Sequence, residues 1–590
     1  MCPTAYLRRG LVPFVALLLL VAPPARAPVS GRGRARIDRA LMEKIARHGG
    51  GDTVRVIIRA QPGKRDAVEG KIKGRHPVLK HHNLPAALTA EVPVADLRDL
   101  SETQGIESLS IDAEVTSFGR LPSLAENMLL GTLGLPDGPF TGAGVGVAVI
   151  DSGIVSHPAI TVAAFYDFTR NGRREPPHDG YGHGTHVAGI IAGSQRWADA
   201  PYRSLAKNVR LIGLGVLGRD GAGYTSDVIE AIEFAVANRA RLGIDVINLS
   251  LGHPIYEPAA SDPLVAAVEA AVRAGIVVVV SAGNQGTNPE TGLVGYGGVT
   301  SPGNAPSAIT VGAADTLSTL ARSDDAVAPY SSRGPTWYDG YAKPDLVAPG
   351  RHIVSLMAKK SSLYNQYPAN CQNIATRTYM SLSGTSMAAA VTAGAVALVI
   401  EASRSTNPAH VALPPNAIKA VLEYSAIPLA SEDELTQGAG ELNVAGALAL
   451  ARAVDPTAAV GPTWAATLPP PVTTIGGETL SWSQRIIWGD AILPGDEIYT
   501  HEEAWAQRIV WGDRIIWGDR IIWGDSIVWG SSIVWGGSVV WGNSTVGYVD
   551  GERIIWGDAS GLSPSSIVWG NLLPSGTTGS LTLPGVDGEP

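Results

Sequence analysis

Apolar positions along the chain change their period several times, and each change marks an element. Between Gly31 and about Phe118, Thr53 to Ala60 is a β-branched run, Leu88 to Val92 alternates as a strand and Ile106 to Ile111 repeats that pattern. The charged stretch Lys64 to Lys73 and the segment Val94 to Ser101 permit helices between them, which predicts a small α+β unit. From Gly144 onward the strands lose their polar alternation. Val145 to Ile150 and Ile276 to Val280 are wholly apolar, and Val209 to Leu217 and Ile244 to Leu251 are mainly so, as strands covered on both faces tend to be. Helical patterns separate them: Val187 to Ala192, Thr225 to Ala237 with Thr225 as the expected cap, and Asp262 to Ala274. Strand and helix in alternation predict an α/β fold, a parallel sheet flanked by helices. A last apolar helix is expected over Ala388 to Ile400.

Past Asp455 the pattern becomes a repeat. Pro462 to Pro471 reads as a proline-bearing linker, and Trp511, Trp517, Trp523, Trp529, Trp535 and Trp541 then follow at intervals of six, with outlying copies at Trp488, Trp556 and Trp569. An even interval places every tryptophan on one side of an extended strand, whereas a turn at each Trp-Gly coils the units into a solenoid. Glycine in every unit and β-branched pairs disfavour a helix. The expectation is a β-rich or weakly ordered tail, serving either structure or attachment to a surface or polymer partner.

Composition narrows the function. A chain of 590 residues exceeds what one core organises, so several segments are expected: 1–27, 28–119, 120–458, 459–484 and 485–590. Net charge of −9 argues against a nucleic-acid partner. Arg8 and Arg9 precede an apolar run from Leu11 to Val21, and Ala25-Arg26-Ala27 offers a small-x-small cleavage pattern, so 1–27 reads as an export signal. The run is shorter than the ~20 residues that span a bilayer, and no transmembrane span is expected elsewhere. The expected location is secreted and extracellular, with association to a cell surface if the tail attaches there. Removing the signal removes Cys2 and leaves Cys371 alone, without an internal disulfide. That thiol reads as a buried apolar one rather than a nucleophile.

Candidate chemistry sits where strands and helices end. Gly384-Thr385-Ser386-Met387-Ala388 puts a serine at the start of a helix, beside N–H groups that helical bonding has not claimed. A serine there needs a base, a carboxylate behind it and an oxyanion donor. Asp151 ends a buried strand, His183 stands between glycines in Gly182-His183-Gly184-Thr185-His186, and Asn284 ends the strand before it. His183 and His186 lack the spacing and the Glu of a zincin, so His183 is the expected base and His186 structural. Gly221-Ala222-Gly223 and Ser250-Leu251-Gly252 are edges that an extended peptide can join as an added strand.

These blocks, with Asp151-Ser152-Gly153, Ser281-Ala282-Gly283-Asn284, Tyr330-Ser331-Ser332-Arg333-Gly334-Pro335, Lys343 to Gly350 and Gly438 to Asn443, resemble the signature blocks of subtilisin-like serine peptidases, in the same order. The resemblance runs from about residue 120 to 455. It implies a secreted serine endopeptidase with Ser386 as nucleophile, His183 as base, Asp151 as its orienter and Asn284 with the Ser386 N–H as oxyanion hole. Peptide would lie between Gly221, Ala222, Gly223 and Ser250, Leu251, Gly252, with a primary pocket bounded further by Ala282 and Gly283. The segment 28–119 resembles the family's ferredoxin-like inhibitory propeptide, an intramolecular inhibitor removed by self-cleavage near Val115 to Arg120. No cofactor is needed for the chemistry; structural calcium is implied by the family alone, since its usual loop is not recognisable in Gly193 to Lys207, and the metal ligands are unknown. Two further departures are Ala390 in place of a proline, with Val391 where a histidine is common, and His253 in place of a glycine at the rim of the pocket. Protein or peptide substrates are the expected partners. The competing readings are a surface-attachment protein with an inactive peptidase domain, and a peptide-binding or inhibitory module built on residues 28–119.

Overall fold

The computed structural model describes residues 34–47, 52–117, 129–135, 138–193, 203–287, 293–374, 377–457 and 468–488, together with short strands from Ala491–Pro494 to Ser565–Trp569. The expected export signal lies outside the described residues.

The apolar strands assemble into a mostly parallel sheet. Gly146–Asp151 is central, with Arg210–Gly215 and then Val162–Asp167 on one side, and Val246–Leu249, Val277–Ser281 and Ile309–Asp315 on the other. Leu346–Pro349 also joins Ile309–Asp315 in parallel, and short antiparallel strands close the edges. Helices cover both faces, which explains why these strands carry so few polar side chains. The helices Thr225–Ala237 and Pro263–Arg273 pack on one face. His183–Ala192 and Thr385–Arg404 pack on the other, in the larger core. Thr385–Arg404 outruns the expected segment at both ends. Its alanines and valines let it pass through the middle of the domain, with Ala390 and Val391 fully buried in an unbroken helix. Among the described residues it is the one helix long and apolar enough to cross a membrane, and burial within the domain accounts for that composition.

Residues 34–117 form a five-stranded sheet ordered Arg36–Ile37, Ile106–Ile111, Thr53–Ala60, Ala87–Pro93 and Val78–His82, with helices Arg39–Arg47 and Arg65–Lys73 and a separate core. This unit rests on the helix Thr225–Ala237. Lys80 pairs with Asp227 at 2.6 Å and with Glu230, Glu233 accepts the backbone N–H groups of Asn83 and Leu84, and Ile57, Ala87 and Val115 join the core beneath. The helix is not capped by Thr225. Its preceding residue Tyr224 offers no side-chain cap, and Asp112 of the N-terminal unit supplies one instead, accepting from Ser226 N at 2.8 Å and Ser226 Oγ at 2.9 Å.

The stretch expected to be a linker, 459–484, is part of the domain from Leu468 onward. A hairpin of Val472–Ile475 and Glu478–Ser481 lies on it, Trp482 and Ile486 are buried in the main core, and Arg485 pairs with Glu434 at 2.7 Å. Apolar side chains at Trp482 and at Ile486, which belongs to the outlying Trp488 copy of the repeat, carry this docking. Most of the tryptophan repeats lie outside the described residues; the described pieces of the tail are short paired strands.

Candidate active site

Hydrogen bonds join the predicted residues in two groups, Asp151 with His183, and Asn284 and Ser250 with the turn that carries Ser386. Asp151 is the last residue of the central strand and is fully buried. Ser152 N donates to its Oδ1 at 2.7 Å, and His183 Nδ1 lies 2.9 and 3.0 Å from its two oxygens. His183 opens its helix after Gly182, whose φ of 106° is left-handed and suits glycine. Gly184 is equally constrained, because a Cβ there would lie 2.2 Å from the Gly153 carbonyl. The histidine is thus brought onto Asp151 by a turn that tolerates side chains at neither flank.

A second carboxylate builds that turn. Asp179 Oδ1 accepts from Gly182 N at 2.7 Å, Ser152 Oγ at 3.0 Å and Tyr181 N at 3.2 Å, while Oδ2 accepts from Thr185 N at 2.8 Å and Thr185 Oγ1 at 2.6 Å. Burial raises its pKa and these bonds pull it back down. Sequence reasoning missed Asp179; its signal was an acidic residue just ahead of the His183 helix, where free N–H groups attract a carboxylate. His186 is buried with Nε2 3.0 Å from the Met380 carbonyl, and burial lowers its pKa to about 3. It stays neutral and structural.

Ser386 lies in the first turn of Thr385–Arg404. Its Oγ donates to the Ser250 carbonyl at 3.1 Å, and Ser250 Oγ in turn donates to the Ser386 carbonyl at 3.0 Å. Asn284 stands beside it. Thr385 N and Thr385 Oγ1 both donate to Asn284 Oδ1, at 3.0 and 3.1 Å, which turns the amide nitrogen away from Thr385. Gly283 N donates to Thr385 Oγ1 at 3.1 Å, and Ala282 is buried next to it.

The edges predicted to receive a peptide hold one already. Glu114–Ser117 runs antiparallel between Ala222–Tyr224 and Leu251–Gly252, with Gly223 opposite Val115 and Gly252 opposite Thr116. Ser117 N donates to the Gly221 carbonyl at 3.3 Å. His253, the unusual residue at the rim, is tied by its backbone to Ser301 and stacks on Tyr256, facing the N-terminal unit. Cys371 is half-buried rather than buried; its environment raises its pKa, which makes it a poor nucleophile.

Asp167, Glu175 and His178 bring ligand atoms within 4.8 Å of one another. They do not suit calcium. Arg170 pairs with Glu175 at 3.4 Å and approaches Asp167 at 3.6 Å, Asp167 Oδ1 is taken by Thr169, and an imidazole is a poor partner for an ion that prefers oxygen.

A buried carboxylate–histidine pair, a serine in the first turn of a buried helix and a strand held between two edges of a parallel-sheet domain are the parts expected of a serine hydrolase of the subtilisin type. The sequence pattern of the Subtilase family matches residues 142–466, more than half of the chain, and the protein belongs to that family. It is a serine endopeptidase acting on proteins. It is 36% identical over 368 residues to serine protease AprX of Bacillus subtilis, covering 61% of this chain and 78% of that one. Subtilisin DY of Bacillus licheniformis is 37% identical over 44% of this chain and 78% of its own. Among solved structures, fervidolysin of Fervidobacterium pennivorans, described as a keratinolytic enzyme related to subtilisin, shares the fold with a TM-score of 0.55 at 20% identity, over 71% of this chain and 64% of its own.

Proposed function

We propose that the chain is exported as a zymogen, cleaves itself, and then hydrolyses peptide bonds through Ser386, His183, Asp151 and Asn284. The single observation that carries this is the Asp151–His183 pair, buried and bonded at 2.9 Å. Ser386 Oγ attacks the scissile carbonyl while His183 Nε2 takes its proton. Asp151 keeps the other ring nitrogen protonated and stabilises the imidazolium. The Asn284 amide and the Ser386 N–H hold the oxyanion, and His183 returns the proton to the leaving amine; water then releases the acyl group by the same steps.

The N-terminal unit acts as intramolecular inhibitor because Glu114–Ser117 fills the peptide edges. With Glu114–Ser117 held in that register, we put self-cleavage at a bond beyond Ser117, within the expected Val115 to Arg120 window. The competing reading of an inactive domain loses one support, since Ala390 is buried in a continuous helix that carries Ser386 in its first turn. Export rests on the sequence of residues 1–27 alone, and a surface or polymer partner rests on the repeats.

Expression of the full chain with and without Ser386→Ala tests the proposal. The native chain should lose its N-terminal segment by a cut beyond Ser117 and the variant should keep it. Equal processing of both would refute self-cleavage.

A further inference from the structure

Parallel strands start on one edge of their sheet and finish on the other, and Asp151 finishes the central strand on the second of these edges. The starting edge is basic. Arg210 opens its strand beside Gly146, and Arg239 and Arg241 lie in the short helix Arg239–Leu242 that feeds the strand Val246–Leu249. Arg273 and Arg404 end the helices Pro263–Arg273 and Thr385–Arg404 at the same edge. Three glycines just ahead of the strands fix this placement. Arg404 donates to the Gly144 carbonyl at 3.1 Å, a Cβ on Gly243 would collide with the Arg210 guanidinium, and one on Gly275 would lie 3.1 Å from that of Arg239. Lys207 precedes Arg210 in a loop whose Asn208 N donates to the Thr141 carbonyl at 2.8 Å.

A cation at a helix C-terminus meets the helix dipole, which accounts for one arginine per helix. It does not account for Lys207 and Arg210, at the start of a strand, or for the charge left over. Arg404 pairs with Asp245 at 2.6 Å and is the one of these five arginines, among the described residues, that meets a carboxylate. Glu401, on the same helix, accepts instead from Thr141 N at 2.6 Å and Gly142 N at 2.7 Å. Lys207, Arg210, Arg239, Arg241 and Arg273 are exposed. Charge is screened within about 8 Å at physiological salt. A surface approaching this edge therefore meets these cations and not the chain's net charge of −9.

The patch is broad. Thr385–Arg404 lies in the core on one face of the sheet, Arg210 belongs to the sheet itself, and Leu242 and Pro263–Arg273 pack in the core on the other face. A linear polyanion follows one line, whereas cations spread over three layers fit a plane. Val411 is 43% exposed in the loop after Arg404, whose carbonyl lies 3.2 Å from His410 Nδ1, and adds an apolar side chain to the face. We propose that this edge docks the enzyme on the surface of an anionic phospholipid bilayer. The guanidinium forks pair with headgroup phosphates, and the juxtaposed cations hold the domain by their summed attraction. The central strand Gly146–Asp151 sets the catalytic carboxylate about 20 Å from the docked edge. The cleft then faces away from the membrane.

Sedimentation of the full chain with vesicles tests this. The probes are phosphatidylcholine vesicles with and without about 30% phosphatidylglycerol, in about 0.1 M and about 0.5 M salt. Native protein should sediment with the anionic vesicles at the lower salt, leave them at the higher salt and stay free of the neutral ones. Arg210→Gln, Arg239→Gln and Arg273→Gln combined in one chain should lower partitioning about 100-fold, at about 5-fold per charge, with peptide hydrolysis within about twofold of native. Arg273→Glu alone, at an exposed helix end, decides the matter where the triple variant does not fold, and should lower partitioning about 10- to 30-fold. Native protein that ignores the anionic vesicles overturns the proposal. Folded variants that bind them as native protein does also overturn it, and place the binding elsewhere in the chain. Native protein that binds soluble polyphosphate and not the vesicles overturns the bilayer in favour of a polymer.

Discussion

Asp179 holds five donors with one carboxylate, four in the turn that delivers His183 to Asp151 and the fifth, Ser152 Oγ, just past the end of the central strand. Removing it strands buried N–H groups, each costing about 1–3 kcal/mol when unsatisfied. Asp179→Ala should therefore lower stability by about 3–5 kcal/mol in denaturant unfolding, with kcat falling more than KM rises, because the histidine loses its placement. An unchanged kcat in a folded Asp179→Ala protein would contradict that role. The comparison with Asp151 shows what a sequence makes readable. Asp151, His183, Asn284 and Ser386 each follow or open an apolar element in a glycine-rich turn, and that local setting announces them. Asp179 is announced only by its place just ahead of the His183 helix, and the partner that ties it to the sheet, Ser152, is brought near by folding alone. Lys419 is a similar case: it is fully buried in the helix Pro415–Ser425, and its ammonium meets Asp345 at 2.9 Å. The Lys343 to Gly350 block thus supplies an ionic core, not a catalytic group.

At the scale of elements, the N-terminal unit and the peptidase domain meet over carboxylates that burial holds in the acid form. Asp38 of the unit, with the domain's Glu257, Asp262, His253 and Tyr256, lines a small cavity between them. Burial pushes Asp38 up to about 6 and Glu257 up to about 8, against the pull of backbone N–H groups on the first and of Ser110 and Arg36 on the second. A carboxyl whose docked pKa exceeds its free value binds more protons docked than free. Docking is thus favoured at low pH and weakens as pH rises from the ordinary carboxylate range to about 6 through Asp38 and to about 8 through Glu257. In a Ser386→Ala chain cut after Ser117 by another protease, the two parts should stay together near pH 5 and separate more readily near pH 9, and Glu257→Gln should flatten the upper part of that change. Dissociation that grew with acidity would contradict this account. The element pattern itself was legible where periodicity was strong, as over Thr53–Ala60 and Val277–Ser281. The cap on Thr225–Ala237 was not, because it comes from Asp112 in another unit.

For the whole molecule, the domain ends later than its composition suggests. Proline-rich sequence before Pro471 looks like a linker, yet Trp482 and Ile486 fill the main core and Glu478 accepts from Arg322 N at 2.8 Å and from the Ser323 hydroxyl at 2.5 Å. Loss of a buried Trp and Ile costs about 3–5 kcal/mol or more. A chain ending after Trp488 should melt close to the full-length protein, whereas one ending after Thr457 should be less stable by that amount. Equal melting of both would place the hairpin outside the folding unit. The central claim concerns Ser386, and it is tested most directly by covalent labelling. The processed enzyme is treated with an organophosphorus reagent and the modified peptide located by mass spectrometry. One label per chain on Ser386, abolished by Ser386→Ala and slowed by about 10³ or more in His183→Ala, is the predicted result. An active protein that takes no label, or takes it at another serine, would contradict it.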